Sequence, residues 1–592
     1  MPFGATLTGS GARFRLWAPR AGVVELELDG EFLPMEAGRR GWFEATVDGA
    51  RAGARYRYRI DRRASVPDPA SRWQPADVHG ASSVVDPRAY HWRHGDWRGR
   101  PWHEAVVYEL HVGTFTPEGS FAATMERLEH LVTLGVTAIE LMPIADFPGR
   151  RNWGYDGVLP YAPDSAYGTP DDLKRLVDEA HGRGLMMLLD VVYNHFGPGG
   201  NYLQAYAPQF FTDRYRTPWG DAIDFSRREV RDYFIHNALY WLHEYRFDGL
   251  RLDAVHAITD PSTPDILEEL ADTVRRECGE GRHVHLVLEN GNNAAHYLRR
   301  REDGQPRHYT AQWNDDIHHA FHVIATGESA GYYADYAGQP LDHLVRCLAE
   351  GFAWQGEPFE CLDGERRGEP SAHLPPAAFV AFLQNHDQTG NRAFGERLAA
   401  LAEPAVLRAL VCILLLAPAP PLLFMGEEWG ACEPFLFFCD FDDALADSVR
   451  EGRRREFARF PEFGDAAARA RIPDPNAEAT YRQSQLDWGR AASAPHAEWL
   501  ALYRELLRLR QREVVPRLAG LHRNTARVHR YGRGGCHATW ELGDGSTLAL
   551  FANLAAEACH ELPRPPGEGL LHATGTAGPD GFGPWSAAWY LT

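Results

Sequence analysis

The chain has 592 residues, 44% of them hydrophobic and 24% charged, which is the make-up of an ordinary globular protein with room for several domains. Its net charge of −20 excludes the basic stripe that a nucleic-acid binder sets against phosphates, and it disfavours docking on an anionic membrane. Eight scattered cysteines (Cys278, Cys347, Cys361, Cys412, Cys432, Cys439, Cys536 and Cys559) contain no C-x-x-C pair. Zinc-knuckle and thioredoxin readings therefore fail, and a reducing cytoplasm is expected. The N-terminus MPFGATLTGSGARF has neither a basic start nor an apolar core, so no secretory signal is expected.

Residues 1–100 open with ARFRLWAP, VVELELDGE, GWFEATVDG and RYRYRID, each alternating apolar and polar. Period two is that of half-buried strands, and these predict a small β-sandwich of immunoglobulin-like type. Its aromatics Trp17, Trp42, Tyr56 and Tyr58 are candidates for glucan binding, with core packing the expected role of most of them. Pro67, Pro69, Pro75 and Pro87 mark an irregular connector.

From about residue 101 to 514, short apolar runs alternate with helical stretches such as Asp171–Arg183 and Arg227–Glu244. The runs are AVVYELHV, AIELMPI, LMMLLDVVYN, GLRLDAV, HLVLEN, YTAQWN, FVAFLQNHD and PLLFMGEE. Continuous apolarity is expected of parallel strands covered on both faces. Eight such β/α units predict a (β/α)₈ TIM barrel, with a short insertion at about 196–226 after the third strand. The apolar stretch Val406–Met425 is broken by Arg408, Pro418, Pro420 and Pro421, so it reads as a buried helix and strand, not a membrane span. Residues 515–592 return to alternation around Asp544-Gly545, a hairpin signal, and predict a C-terminal antiparallel β domain.

Polar residues at the C-terminal ends of barrel strands face the active site. Here the third run ends in Asp190, Asn194 and His195; the fourth in Arg251, Asp253 and His256; the fifth in Glu289; the seventh in Asn385, His386 and Asp387. A single strand-end Asp is explained by capping the next helix. Four placements at barrel spacing are not. Glycoside hydrolysis needs two carboxyl groups in different protonation states. Arg251 shares a strand face with Asp253 and keeps it ionised as a nucleophile, whereas Glu289, near that anion, stays protonated as the acid. Retention sets their separation at about 5–5.5 Å. Asp387 and His386 are read as holding sugar hydroxyls.

These residues carry a resemblance. DVVYNH (Asp190–His195), GLRLDAVH (Gly249–His256), LEN (Leu288–Asn290) and QNHD (Gln384–Asp387) resemble the four sequence blocks of the α-amylase superfamily. The resemblance implies retention through a covalent glycosyl-enzyme, with Asp253 as nucleophile, Glu289 as general acid/base and Asp387 as transition-state stabiliser. It implies sugar- and nucleophile-positioning roles for His195, Arg251 and His386, and an aromatic platform at Tyr155 of NWGYDG; Asp190, Asn194 and His256, at the ends of the same strands, are read as further substrate contacts. Within the superfamily, the N-terminal sandwich, of carbohydrate-binding type, and Pro67–Pro87 resemble glycogen-branching enzymes and maltooligosyltrehalose trehalohydrolases. YTAQWNDDIHHAFHV, NHDQTGNRAFGERL and LFMGEEWGACEPFLFFCDF are similar to the trehalohydrolases. Those enzymes carry an acidic residue shortly after the acid/base, where this chain reads Asn290-Gly291-Asn292-Asn293.

That resemblance implies hydrolysis of the α-1,4 bond next to a terminal trehalose in maltooligosyltrehalose, with related α-1,4-glucans as ligands and a maltooligosyltrehalose synthase acting beforehand. The alternative is a branching enzyme passing the same intermediate to a sugar hydroxyl. Trp313, Asn314, Asp315, Arg392 and Glu396 are the candidate contacts that select a trehalose end. No cofactor or metal is expected. His318, His319 and His322 lack a third-ligand pattern for zinc, and the insertion lacks a calcium-type oxygen loop.

Overall fold

The computed structural model describes residues 2–592 except 218, 280, 579 and 580. The N-terminal region is a two-sheet sandwich. Gly11–Trp17 pairs with Trp42–Asp48 in one sheet, and Val24–Leu28 pairs with Arg55–Ile60 in the other. The alternation read from the sequence puts Ala12, Phe14 and Leu16 from the first sheet against Leu26, Tyr56 and Tyr58 from the second. Tyr56 and Tyr58 both donate to the buried Asp68, at 2.8 and 3.3 Å. Trp17 is buried too, and Trp42 is covered by the Arg15 guanidinium, so these aromatics hold the sandwich together.

Eight parallel strands close into the barrel: β1 (Val107–Leu110), β2 (Ala138–Leu141), β3 (Met186–Val191), β4 (Gly249–Leu252), β5 (His285–Leu288), β6 (Ala311–Trp313), β7 (Phe379–Phe382) and β8 (Pro421–Phe424). All are buried along their length, as the continuous apolar runs require. The first predicted helix forms as Pro170–Gly182, started by a capping box in which Thr169 accepts from the Asp172 amide and Asp172 bonds back. The second is Arg228–His243. The stretch Val406–Met425 splits into the end of helix Pro404–Leu416 and strand β8. No helix among the described residues is long and apolar enough to cross a membrane.

After β3 the insertion holds the hairpin Phe211–Thr217 and Gly220–Ile223. The C-terminal region is a five-stranded antiparallel sheet whose strands run from Arg527–Tyr531 to Ser586–Leu591. Its hairpin turns at Asp544-Gly545, with Gly545 at φ 85°, a left-handed conformation that suits glycine. Trp589 Nε1 donates to the Cys412 carbonyl at 3.0 Å, fastening the sheet to the helix before β8. All eight cysteines are unpaired thiols.

Candidate active site

Backbone stagger brings the carboxylates together. The Asp253 amide donates to the Val191 carbonyl at 3.1 Å, and the Glu289 amide donates to the Leu252 carbonyl at 3.0 Å. Each residue therefore stands just past its own strand, one strand apart, at the C-terminal mouth. Asp387 is placed differently. Asn385 caps the short helix after β7, and its side chain accepts from the Asp387 amide at 2.9 Å.

Arg251 sits beneath all of this. Its side chain is fully buried on the lumen face of β4, and Nη1 donates to Asp253 Oδ1 at 2.9 Å and to Asp190. Nη2 lies 3.7 Å from Glu289 Oε2. The Trp313 ring covers the guanidinium at 4.1 Å. Asn194 Nδ2 donates to the second Asp253 oxygen at 2.9 Å. With Arg251 Nη1 on one oxygen and Asn194 Nδ2 on the other, Asp253 is held in one orientation.

Glu289 has the opposite environment. Burial raises its pKa above the ordinary carboxylate value, and the Asp253 and Asp387 charges add to this against the pull of Arg251. Its Oε2 accepts from the Ala254 amide. That amide is turned inward because Ala254 adopts φ 41°. The side chains of Asp253, Glu289 and Asp387 keep 12, 15 and 40% of their surface open, whereas Arg251 keeps none. The three carboxyls are thus partly open at the mouth of the barrel, whereas the guanidinium is closed off.

Tyr155 stacks on His386 with ring centres 5.0 Å apart, and its hydroxyl donates to Asp190 at 2.6 Å. His195 packs against Trp219 from the insertion hairpin, 4.1 Å away and nearly parallel, while its Nε2 lies 2.9 Å from the Tyr155 carbonyl oxygen. His256 is exposed at the rim, 3.9 Å from Glu289.

Several expected contacts are engaged within the protein. Asp190 and Arg251 are buried and bonded to each other beneath the carboxylates. Trp313 is turned into the lumen under Arg251 and is 1% exposed. Asn314 caps the helix Asp315–Thr326 and donates to the Gly351 carbonyl at 2.8 Å, which leaves it buried and occupied. Arg392 grips Glu328 through both Nη atoms at 2.9 Å and Glu396 at 3.2 Å, bracing the loop after β7. Of the five candidate contacts for a trehalose end, Asp315, Arg392 and Glu396 are partly open, and Asp315 is the one of these three with no ion pair among the described residues. Burial, then the charge of Glu289, pushes its carboxyl up to about 8.

The histidine cluster is occupied internally. His318 Nδ1 meets the Leu383 carbonyl at 2.7 Å, and His322 Nε2 meets Glu328 at 2.9 Å. The acid-free loop Asn290–Asn293 is tied down by Asn293 Nδ2 donating to the buried Asp316 at 2.9 Å.

Two carboxylates were missed in the sequence. Glu109, in β1, accepts from the His386 amide at 3.1 Å and bonds its Nδ1. Glu140 is its register partner in β2 and is pushed well above the ordinary value by burial and by the Asp190 and Glu109 charges. The signal was a carboxylate inside an otherwise apolar strand. Trp219 was also missed, since nothing local places a hairpin tip over His195.

Comparison with known proteins places the fold and the family. Residues 91–209 match the alpha amylase catalytic domain, residues 2–79 match carbohydrate-binding module 48 (isoamylase N-terminal domain), and residues 523–589 match a domain of unknown function. A malto-oligosyltrehalose trehalohydrolase from Deinococcus radiodurans is 44% identical over 86% of this chain and 82% of its own. One from Saccharolobus solfataricus is 40% identical over 86% of this chain and 87% of its own. The chain belongs to the malto-oligosyltrehalose trehalohydrolase family. As a member of that family it is a glycoside hydrolase of the α-amylase superfamily. A crystal structure of an alpha-amylase-type protein from Salmonella typhimurium superposes with a TM-score of 0.96 at 47% identity, covering 100% of this chain and 99% of that one. A branching enzyme from Streptomyces avermitilis matches at 36% over only 41% of this chain and 45% of its own.

Proposed function

We propose that the site cleaves the α-1,4 bond joining a maltooligosaccharide to a terminal trehalose, with Asp253 as nucleophile, Glu289 as acid and then base, and Asp387 as stabiliser of the transition state. The observation that carries this is the single Arg251 guanidinium, 2.9 Å from Asp253 and 3.7 Å from Glu289. It bonds one carboxylate directly and stands further from a second whose pKa burial raises.

In the first step Asp253 attacks the anomeric carbon of the sugar stacked on Tyr155. The bond to the leaving oxygen breaks, and Glu289 transfers its proton to that oxygen, releasing trehalose. A water then attacks the same carbon, gives its proton to Glu289, and displaces Asp253 with net retention. Asp387, 3.4 Å from His386 Nε2, is placed to hold hydroxyls of the reacting sugar as its ring flattens. The choice of a trehalose end lies on the leaving-group side, where Asp315 offers a carboxyl without a protein ion pair. A site that bonds the hydroxyls of a 1,1-linked pair leaves buried groups unpaired with a maltose end.

The chemistry of this substrate places a maltooligosyltrehalose synthase before the enzyme. The unpaired thiols support a cytoplasmic setting for this chain. The test is kcat/KM on maltotriosyltrehalose against maltopentaose, with trehalose identified among the products. A strong preference for the trehalose-ended chain is expected. A ratio near one would leave a general α-glucan hydrolase, and a shift in iodine staining of amylose would identify a branching enzyme instead.

A further inference from the structure

At the opposite end of the barrel, the segments that lead into β1, β5, β6, β7 and β8 surround a half-open cavity of about 950 Å³, closed on one side by Leu518–His522. That is the size of a small-molecule site. In a protein of net charge −20, this cavity has the reverse sign. Arg98, Arg275, Arg282, Arg300 and Arg301 line it together with four histidines, and among the described lining residues there is no carboxylate. Glu280, between Gly279 and Gly281 of the rim, lies outside the described residues.

Arg275 and Arg300 are held in place by groups that do not neutralise them. Arg275 donates to the carbonyls of Val284 and His308 at 2.7 and 2.9 Å and to Thr310 Oγ1 at 3.0 Å. Arg300 donates to the Tyr309 and Thr310 carbonyls at 3.2 and 2.7 Å. Carbonyl oxygens satisfy the N–H groups but leave the positive charge uncompensated. Burial and then the neighbouring guanidinium lower both arginines to about 10, the behaviour of cations lacking a counter-charge. Nearby, Arg282 bonds three carbonyls and stands 3.6 Å from Asp248, which is already engaged with His181. Arg98 and Arg301 reach the cavity from exposed positions.

The wall also carries flat surfaces. Trp102 and His285 are buried against each other with ring centres 4.9 Å apart, and the exposed His283 ring lies within 12° of parallel to His285. A concave wall of one charge sign focuses the field and concentrates counter-ions. Adjoining aromatic faces favour a ligand with a ring.

We infer that this cavity binds a small phosphate-bearing molecule with a ring, its phosphate against the arginines and its ring against the exposed His283, which is backed by His285 and Trp102. It is separated from the catalytic mouth by the length of the barrel, so it neither borrows from nor depends on the catalytic assignment.

The test is calorimetric titration of the full chain at low ionic strength with glucose 6-phosphate, adenosine 5′-monophosphate and inorganic phosphate, and with glucose as a neutral control. The variant is Arg98→Glu/Arg301→Glu, chosen because both side chains are exposed and stand far from the catalytic residues. Saturable one-to-one binding of at least one of the two ring phosphates is expected, tighter than inorganic phosphate. It should weaken at least tenfold in the variant, whose melting temperature without ligand and whose glycosidase activity match those of the parent. The preferred compound of the two distinguishes a sugar phosphate from a nucleotide. Absence of saturable binding to the parent, or binding unchanged in the variant, would overturn the site. Inorganic phosphate binding as tightly as both ring phosphates would overturn the part assigned to the aromatic wall.

Discussion

Glu109 holds His386 from both sides of its backbone–ring hinge, one carboxylate oxygen on the amide at 3.1 Å and the other on Nδ1, while Nε2 faces Asp387 at 3.4 Å. A histidine between two carboxylates is a cation. Burial by itself would lower its pKa, but the Asp387 and Glu109 charges outweigh burial and carry it up to about 9. Because the folded value lies above the unfolded one, the stabilisation is complete below pH ~6.5. It is lost as pH rises through about 9. In Glu109→Gln the imidazole should titrate at lower pH, and the alkaline limb of kcat/KM should move with it. Proton NMR of the ring and a pH–rate profile check this; an unmoved histidine resonance would reject the coupling.

Asp253→Asn should abolish turnover without unfolding the protein. Arg251 keeps Asp190 as a charged partner, and the asparagine side chain still offers oxygen to Asn194. Circular dichroism and a product assay test this together. Near-normal activity in the folded variant would remove Asp253 as nucleophile.

Glu289→Gln should lose roughly 10²–10⁴-fold on natural glucosides, whose leaving oxygen needs a proton. An α-glycosyl fluoride, which leaves unaided, should still load Asp253, and intact-protein mass spectrometry should find the adduct. Equal losses on both substrates would count against Glu289 as the acid.

Asp315→Ala should lower kcat/KM on maltotriosyltrehalose at least tenfold more than on maltopentaose, because a lost hydroxyl partner on the leaving-group side discriminates between the two ends. Equal losses would show that Asp315 acts only through the Glu289 charge it faces.

Exhaustive chelation should leave activity unchanged, since the two carboxyls supply nucleophile and acid without a Lewis acid. Activity lost to EDTA and restored by calcium or zinc would demand a metal site that the reading of His318, His319 and His322 overlooked.

Local pattern by itself determined the eight barrel strands, the two flanking β regions and the strand-end carboxylates, because hydrophobic period and chain punctuation are properties of neighbouring residues. Asp253 and Glu289 were legible since each interrupts an apolar run just where a parallel strand must end. Direction was not legible. Trp313 and Asn314 also end a strand, yet the closed barrel turns one under Arg251 and uses the other to cap a helix. Glu109 and Glu140 were hidden for the converse reason: VYEL and AIEL look like core, and only closure puts β1 beside β8 and near β7, where Glu109 meets His386. The arginine-lined cavity draws on segments from Arg98 to His522. No sequence window spans it, because like charges tens to hundreds of residues apart become neighbours only when the barrel gathers the loops that enter its strands.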